Sequence, residues 1–311
     1  MSATPASTTT QLRNDRVGIG AALLALLAAF LWGGNQPFIK IGLSGMPPLA
    51  MAAARFAVGL VVVAAAAAVA GVSLRVGRSD RLKLFGLSAL FILQIALLNQ
   101  GTLLSSASRT SILISSHPFF IALFCHVLVP GDRLTLPKVV GIVMAFAGML
   151  LIFGEAVPIG DQGRYLWGDL LVFGSAVLLG LRQVVMKRLM RDMHPYAVLF
   201  WQSMLSLPVF CVLAFVLEKE AAWNLTGPVI GAVLYQGIVV AGLCFILWSF
   251  LLRRHSASRL GIFGFATPIL GVVLSVVLLQ DGVSVQLISS MLLVAAGIAI
   301  VNWRDTAPAQ R

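Results

Sequence analysis

The side chains with chemistry to offer stand singly in apolar surroundings. Trp32, Asn35 and Gln36 fall at i, i+3 and i+4, one face of a helix. Gln94, His117, Gln183, Gln202 and Gln236 each lie well inside a long apolar run, and Trp201 adds an aromatic surface. Polar groups in hydrocarbon are costly unless they face a partner or a water-filled cavity. Amides and rings around a central cavity suit a small zwitterionic or amphipathic solute rather than a bare anion. The alternative use is interhelical hydrogen bonding, worth about 0.6 to 2 kcal/mol per contact. Arg55 and Arg182 also sit several residues inside apolar runs. A deep guanidinium can hold a carboxylate through two parallel hydrogen bonds, and gating or helix packing is the other role open to it. Arg55 joins the candidate solute-binding set, ahead of Arg182.

Other chemistries find less support. His117 is near the centre of its run and could take up and release a proton, or pack as a neutral ring. No Asp or Glu falls at the centre of an apolar run; Asp169 is nearest, close to an end, so coupling through a carboxylate lacks an obvious carrier. H-E-x-x-H, G-x-S-x-G and an intramembrane Asp pair are all missing from the sequence, so no catalytic residue, metal ligand or cofactor site is expected. The three cysteines, Cys125, Cys211 and Cys244, are far apart and read as apolar packing residues. Pro118 and Pro268 are expected to kink their helices, each freeing a carbonyl one turn back, at Ile114 and Gly264.

The elements that must position these residues are membrane spans. Of 311 residues 59% are apolar and only 11% charged, against about 25% charged in soluble domains. So little charge cannot cover a globule in water, whereas a bilayer requires apolar surface outside. At about 20 residues per crossing, the chain divides into ten spans: 18–38, 48–72, 82–104, 108–129, 136–154, 166–189, 194–217, 228–251, 258–279 and 284–303. With the N-terminus inside, the inner loops and tails carry fifteen Lys and Arg and the outer loops only Arg164 and Lys219. That asymmetry predicts both termini in the cytoplasm. It also accounts for most of the net charge of +11 without a nucleic-acid partner, because the basic residues are spread over short loops near anionic lipid. Residues 1–17 read as a disordered cytoplasmic tail and 304–311 as a second tail. Lys40, Arg109 and Arg259, at span ends, are expected to snorkel to the interface.

The sequence also repeats itself. Ser106-Ala107-Ser108-Arg109 opens the fourth span and Ser256-Ala257-Ser258-Arg259 the ninth. A proline follows each Arg (Pro118, Pro268), then an acid (Asp132, Asp281), then a glycine (Gly148, Gly297). Gly33 to Lys40 matches Gly180 to Lys187, and Pro48 to Arg55 matches Pro195 to Gln202. One offset of about 150 residues serves all of these matches, defining halves 18–155 and 166–303. Five spans per half is an odd number, so the halves enter the membrane in opposite senses, an architecture recurrent in secondary transporters. The expected fold is an all-α membrane protein, ten transmembrane helices as two inverted five-helix repeats around a central cavity.

These residues carry a family resemblance. Trp32-Gly33 with Lys40, Ala54-Arg55-Phe56, Ala107 to Pro118, Asp132 to Gly148, and Thr267-Pro268 before Asp281 and Gly297 resemble the twin EamA domains of the drug/metabolite transporter superfamily. The resemblance covers nearly all of the chain after residue 17. Asp132 and Asp281 depart from it, standing where the family usually has Glu. It implies a ten-helix transporter of the inner or plasma membrane, often an exporter of amino acids or related metabolites, in a superfamily that also moves drugs, nucleotide sugars and vitamins. The expected partners are a small-molecule substrate and the lipid bilayer; monomer and homodimer both remain open. The alternative classes are a membrane-embedded enzyme and a non-transporting accessory protein.

Overall fold

The computed structural model describes residues 18–128, 134–155, 160–254 and 262–303. Both tails, Asp132 and Arg259 lie outside them. The described residues form helices α1 (Ile19–Gly33), α2 (Asn35–Leu43), α3 (Pro48–Val69), α4 (Arg78–Leu104), α5 (Ala107–Ile114), α6 (His117–Leu128) and α7 (Leu136–Phe153). Then come α8 (Gln162–Asp192), α9 (Pro195–Leu217), α10 (Gly227–Leu234), a π-helical segment Tyr235–Cys244 and α11 (Phe245–Arg254). A 3-10 turn Ile262–Phe265 leads into α12 (Ala266–Leu279), and α13 (Val285–Trp303) closes the fold. Among the described residues eight helical stretches are long and apolar enough to cross a membrane, and two shorter apolar helices, Ala266–Leu279 and Val285–Val301, accompany them.

Local sequence explains where helices start and break. Prolines occupy the first turn of α3, α7, α9 and α10, where a missing N–H leaves no helical bond unmade. The first span is longer than expected, reaching Leu43, and is interrupted at Gly34, whose φ of −65° and ψ of −14° keep α2 nearly in line with α1. The fourth span is broken at Ser115–Ser116, so Pro118 stands in the first turn of α6. Pro268 likewise stands in the first turn of α12. Pro118 therefore sits just past a break, and Pro268 just past the junction of the 3-10 turn with α12.

Solvation is reversed relative to a water-soluble protein. Val61, Leu150, Val212 and Val277 are exposed, while Gln36, Arg55, Gln94, Asn99, Arg109, Asp169, Gln202 and Gln236 are buried. Apolar atoms face outward and polar groups inward, as hydrocarbon demands.

The helix contacts repeat at the sequence offset noted above. On α1, a Cβ at Gly33 would meet Leu270 and Gly271 of α12, and on α8 a Cβ at Gly180 would meet Phe120 and Ile121 of α6. Where α7 crosses α13, a Cβ at Gly148 would lie 2.9 Å from the Ser290 carbonyl oxygen, and one at Gly297 would lie 2.7 Å from that of Gly141. Adding about 150 residues converts each contact into its counterpart. Only glycine permits backbones to cross so closely.

Candidate functional site

Six elements converge on a polar seam inside the bundle. Arg55 projects from α3, is 3% exposed, and donates from Nη1 to Gln236 Oε1 at 2.8 Å. Gln236, the second residue of the π-helical segment, returns a bond from Nε2 to the Asn35 carbonyl oxygen at 2.7 Å. Across the seam Arg182 of α8 donates from Nη1 to Gln202 Oε1 of α9 at 3.1 Å. Gln94 of α4 donates to Ser175 Oγ of α8 at 3.0 Å, and Ser175 Oγ donates to the Gln94 carbonyl oxygen at 2.9 Å. The structure thus brings together Asn35, Arg55, Gln94, Arg182, Gln202 and Gln236, which lie on six separate elements. The π-helical segment packs tightly on α3: a Cβ at Gly237 would meet Val58 at 2.6 Å and one at Gly242 would meet Val62 at 2.4 Å. Wide helical turns of this kind concentrate at functional sites.

The electrostatics of the seam are one-sided. The Arg55 guanidinium lies 4.6 Å from the Phe56 ring and that of Arg182 lies 4.9 Å from the Phe91 ring. Phe56 and Phe91 meet edge to face at 4.7 Å, with Phe210 behind them. Among the described residues neither arginine has a carboxylate within 4.0 Å. Ring faces return about 0.5 to 2 kcal/mol to each cation, less than the several kcal/mol that burying an unpaired charge costs. A carboxylate about 4 Å from either guanidinium would gain about 4 kcal/mol at an effective dielectric near 20. Four buried polar atoms of the seam also lack a partner among the described residues, Arg55 Nε, Arg182 Nε, Asn35 Oδ1 and Gln94 Oε1, as does Gln36 Oε1 beside Asn35 on α2. Buried polar groups are otherwise almost always bonded.

Other candidates lie elsewhere or have other tasks. Trp201 Nε1 donates to the Leu74 carbonyl oxygen at 2.7 Å, and its ring packs against a cluster that holds Leu84, Leu87 and Val198. Trp32 meets Trp248 edge to face at 5.3 Å. Gln183 is half-buried beside Arg182 in sequence and has no side-chain hydrogen bond among the described residues. The carbonyl that Pro118 frees at Ile114 is not bare: His117 Nδ1 donates to it at 3.0 Å. Among the described residues no three His, Cys, Asp or Glu gather to hold a metal. Cys211 and Cys244 form no disulfide among the described residues.

A second cluster corrects the expectation that Lys40 and Arg109 snorkel outward. Both turn into the protein at the end of the bundle that carries Glu155, Asp161, Glu218 and Asp281, here the acid-bearing end. Arg109, 4% exposed, donates from Nε to Asp169 Oδ2 at 3.0 Å, from Nη2 to the Ile152 carbonyl oxygen at 2.7 Å, and from Nη1 to Glu155 Oε2. Asp169 is fully buried and also accepts from Ser105 Oγ at 2.6 Å. Ser284, in the turn before α13, donates to the other oxygen of Glu155. Lys40 Nζ donates to the carbonyls that end α4, at Thr102 (2.8 Å), Leu103 (3.0 Å) and Ser105. Lysine at a helix C-terminus satisfies orphan carbonyls and opposes the helix dipole.

Helix N-termini at this end are capped from far along the chain. Asp281 accepts from the Ser108 N–H at 2.8 Å at the start of α5, and Glu218 accepts from the Leu49 and Ala50 N–H groups at 2.8 and 2.9 Å at the start of α3. A carboxylate at a helix N-terminus satisfies free N–H donors and the positive dipole end. A cleft of about 340 Å³ opens here between residues 43–48, Gln100 and Leu103 of α4, and residues 217–222. Glu218 in its wall is already committed to α3.

With this geometry in place, comparison decides the family. The model of the EamA-like transporter family matches residues 19–154 and again 166–303. The chain belongs to the EamA-like transporter family. It is an integral membrane protein, and its EamA relatives are transporters rather than enzymes. This EamA chain is 23% identical over 270 residues to "Uncharacterized transporter YoaV" of Bacillus subtilis, covering 86% of this chain and 91% of the relative. It is 26% identical over 284 residues to "Aromatic amino acid exporter YddG" of Ancylobacter novellus, covering 91% and 96%. It is 24% identical over 297 residues to "Probable amino-acid metabolite efflux pump" of Escherichia coli, covering 91% and 96%. A solved crystal structure, 24% identical, superposes with a TM-score of 0.68 over 93% of this chain and 99% of its own, a likeness of fold.

Proposed function

We propose that the protein is a secondary transporter of small organic solutes, an exporter of amino acids or related metabolites. It works by alternating access between two inverted five-helix repeats whose ten helices all cross the membrane. The reciprocal contacts carry this reading: Gly148 with Ser290 and Gly141 with Gly297, Gly33 with Leu270 and Gly180 with Phe120, each pair the other's image at the repeat offset. Two bundles that exchange equivalent contacts can rock between two equivalent arrangements. The exporters among the relatives support the substrate class.

In the present arrangement the two repeats are tied together at the acid-bearing end. Glu218, Asp281 and Ser284 of the second repeat bond to α3, α5 and Glu155 of the first, and Asp169 of the second repeat bonds to Arg109 and Ser105 of the first. The positive-inside asymmetry puts that end outside and both termini in the cytoplasm of an inner or plasma membrane. The seam of Arg55, Gln236, Arg182 and Gln202 then binds the solute from the cytoplasmic side, and release requires the Arg109 cluster to part.

The test compares metabolites in cells and medium with and without overexpression, then measures flux of the leading solute in liposomes. Export of a defined set of solutes reproduced by the purified protein supports the proposal; purified, folded protein that moves none of the solutes exported in cells refutes it. A C-terminal reporter active only outside the cytoplasm would refute the orientation.

A further inference from the structure

The seam holds two cations and, among the described residues, no acid within 4.0 Å of either, an imbalance that points to the charge of what it binds. We infer that Arg55 and Arg182 bind the carboxylate groups of net-anionic organic solutes. The inference rests on the transport reading above and narrows its solute, displacing the sequence-based expectation of a zwitterion.

Three observations converge. Arg55 is 3% exposed and Arg182 half-buried, and among the described residues the Nε donor of each lacks a partner. Each guanidinium is held in place on one side, by Gln236 and the Phe56 ring for Arg55 and by Gln202 and the Phe91 ring for Arg182. Fixed donors with unused hydrogens are prepared for a planar, two-oxygen acceptor. The contrast with Arg109 completes the argument. That arginine, as buried as Arg55, is paired with both Asp169 and Glu155. Where this fold uses arginine for structure it supplies carboxylates from the chain, and at the seam it leaves the carboxylate to be supplied by the solute. The unpartnered oxygens of Asn35, Gln36 and Gln94 are acceptors. They take N–H or O–H groups on the same solute, so an amino group is tolerated without setting the net charge.

The experiment pairs each carboxylate with its isosteric amide. Purified protein in detergent is titrated with glutamate against glutamine and with 3-phenylpropionate against 3-phenylpropionamide, following thermal stabilisation, and counterflow of the same probes is measured in liposomes. The acid of at least one pair should bind about tenfold or more tightly than its amide, the difference expected when one charge-assisted bond is lost. Arg55→Gln and Arg182→Gln should each bring acid and amide to within about twofold, while Arg55→Lys keeps part of the preference. The wild-type selectivity needs no variant, so it decides the matter even if a variant fails to fold. Equal binding of acid and amide in both pairs, or tighter binding of the amides, overturns the inference. Flux that ignores charge would leave the transport reading standing without this inference. Selective binding of acids with no flux would remove transport and leave the anion site.

Discussion

Replacing Asp169 with Asn tests whether the acid-bearing end is held by charge. Asp169 is fully buried and accepts from Arg109 Nε at 3.0 Å and Ser105 Oγ at 2.6 Å. An amide keeps the shape but removes the charge, and its NH2 group must face either Arg109 or Ser105. Breaking a buried pair by removing one partner costs about 3 to 5 kcal/mol. Arg109 keeps Glu155 and the Ile152 carbonyl oxygen, so Asp169→Asn should fall at the lower limit, about 3 kcal/mol. Arg109→Ala leaves two buried carboxylates facing one another and should lie at the upper limit, about 5 kcal/mol. At about 2 to 4 °C per kcal/mol, Asp169→Asn should lower the melting temperature of the detergent-purified protein by about 6 to 12 °C, and Arg109→Ala by more. The double variant should be less destabilised than the sum of the singles by about 2 to 3 kcal/mol, because the groups share one network. Thermal melts of the four proteins provide the cycle. A melting temperature for Asp169→Asn within 1 °C of wild type, or effects that simply add, would show that the cluster does not hold this end together.

Further predictions concern packing and caps. Gly297→Ala places a Cβ 2.7 Å from the Gly141 carbonyl oxygen and should destabilise by about 1 to 3 kcal/mol. Gly231→Ala, in α10 with open space around it, should be neutral or stabilising by up to about 1 kcal/mol; melts of the two variants together check the crossing. Glu218→Ala removes the acceptor for the Leu49 and Ala50 N–H groups and should cost about 1 to 2 kcal/mol, with faster amide exchange confined to the start of α3. Lys40→Met frees the carbonyls at the end of α4 and should speed amide exchange around residues 102–105 while leaving exchange at the far end of α4 unchanged.

The spans were legible because hydrocarbon imposes length and apolarity directly on sequence, and the hydroxyl-rich residues 105–106 divide the third span from the fourth as read. The seam residues Asn35, Gln94, Gln202 and Gln236 were legible for a related reason: an amide deep in an apolar run must be accommodated by something. The hydrogen bond of Trp201 was not legible, since a ring carries no such demand and its partner, Leu74, lies in a distant loop. Arg109 and Lys40 read as snorkelling residues because each stands near a span end. Their actual partners are 43 to 65 residues away, so the pairing exists only in the fold. The π-helical segment left no distinctive mark either, because Tyr235–Cys244 contains no proline, and its path follows the close approach of Gly237 and Gly242 to α3.

Alternating access requires the acid-bearing end to open during every cycle. Glu155 of the first repeat and Ser284 of the second touch there. In protein freed of Cys125, Cys211 and Cys244, Glu155→Cys and Ser284→Cys can be joined by a short, reducible thiol crosslinker and solute flux measured in liposomes. Flux that stops when the bridge forms and returns on reduction is the predicted result. Flux that continues unchanged through a fully bridged population would contradict alternating access in this protein.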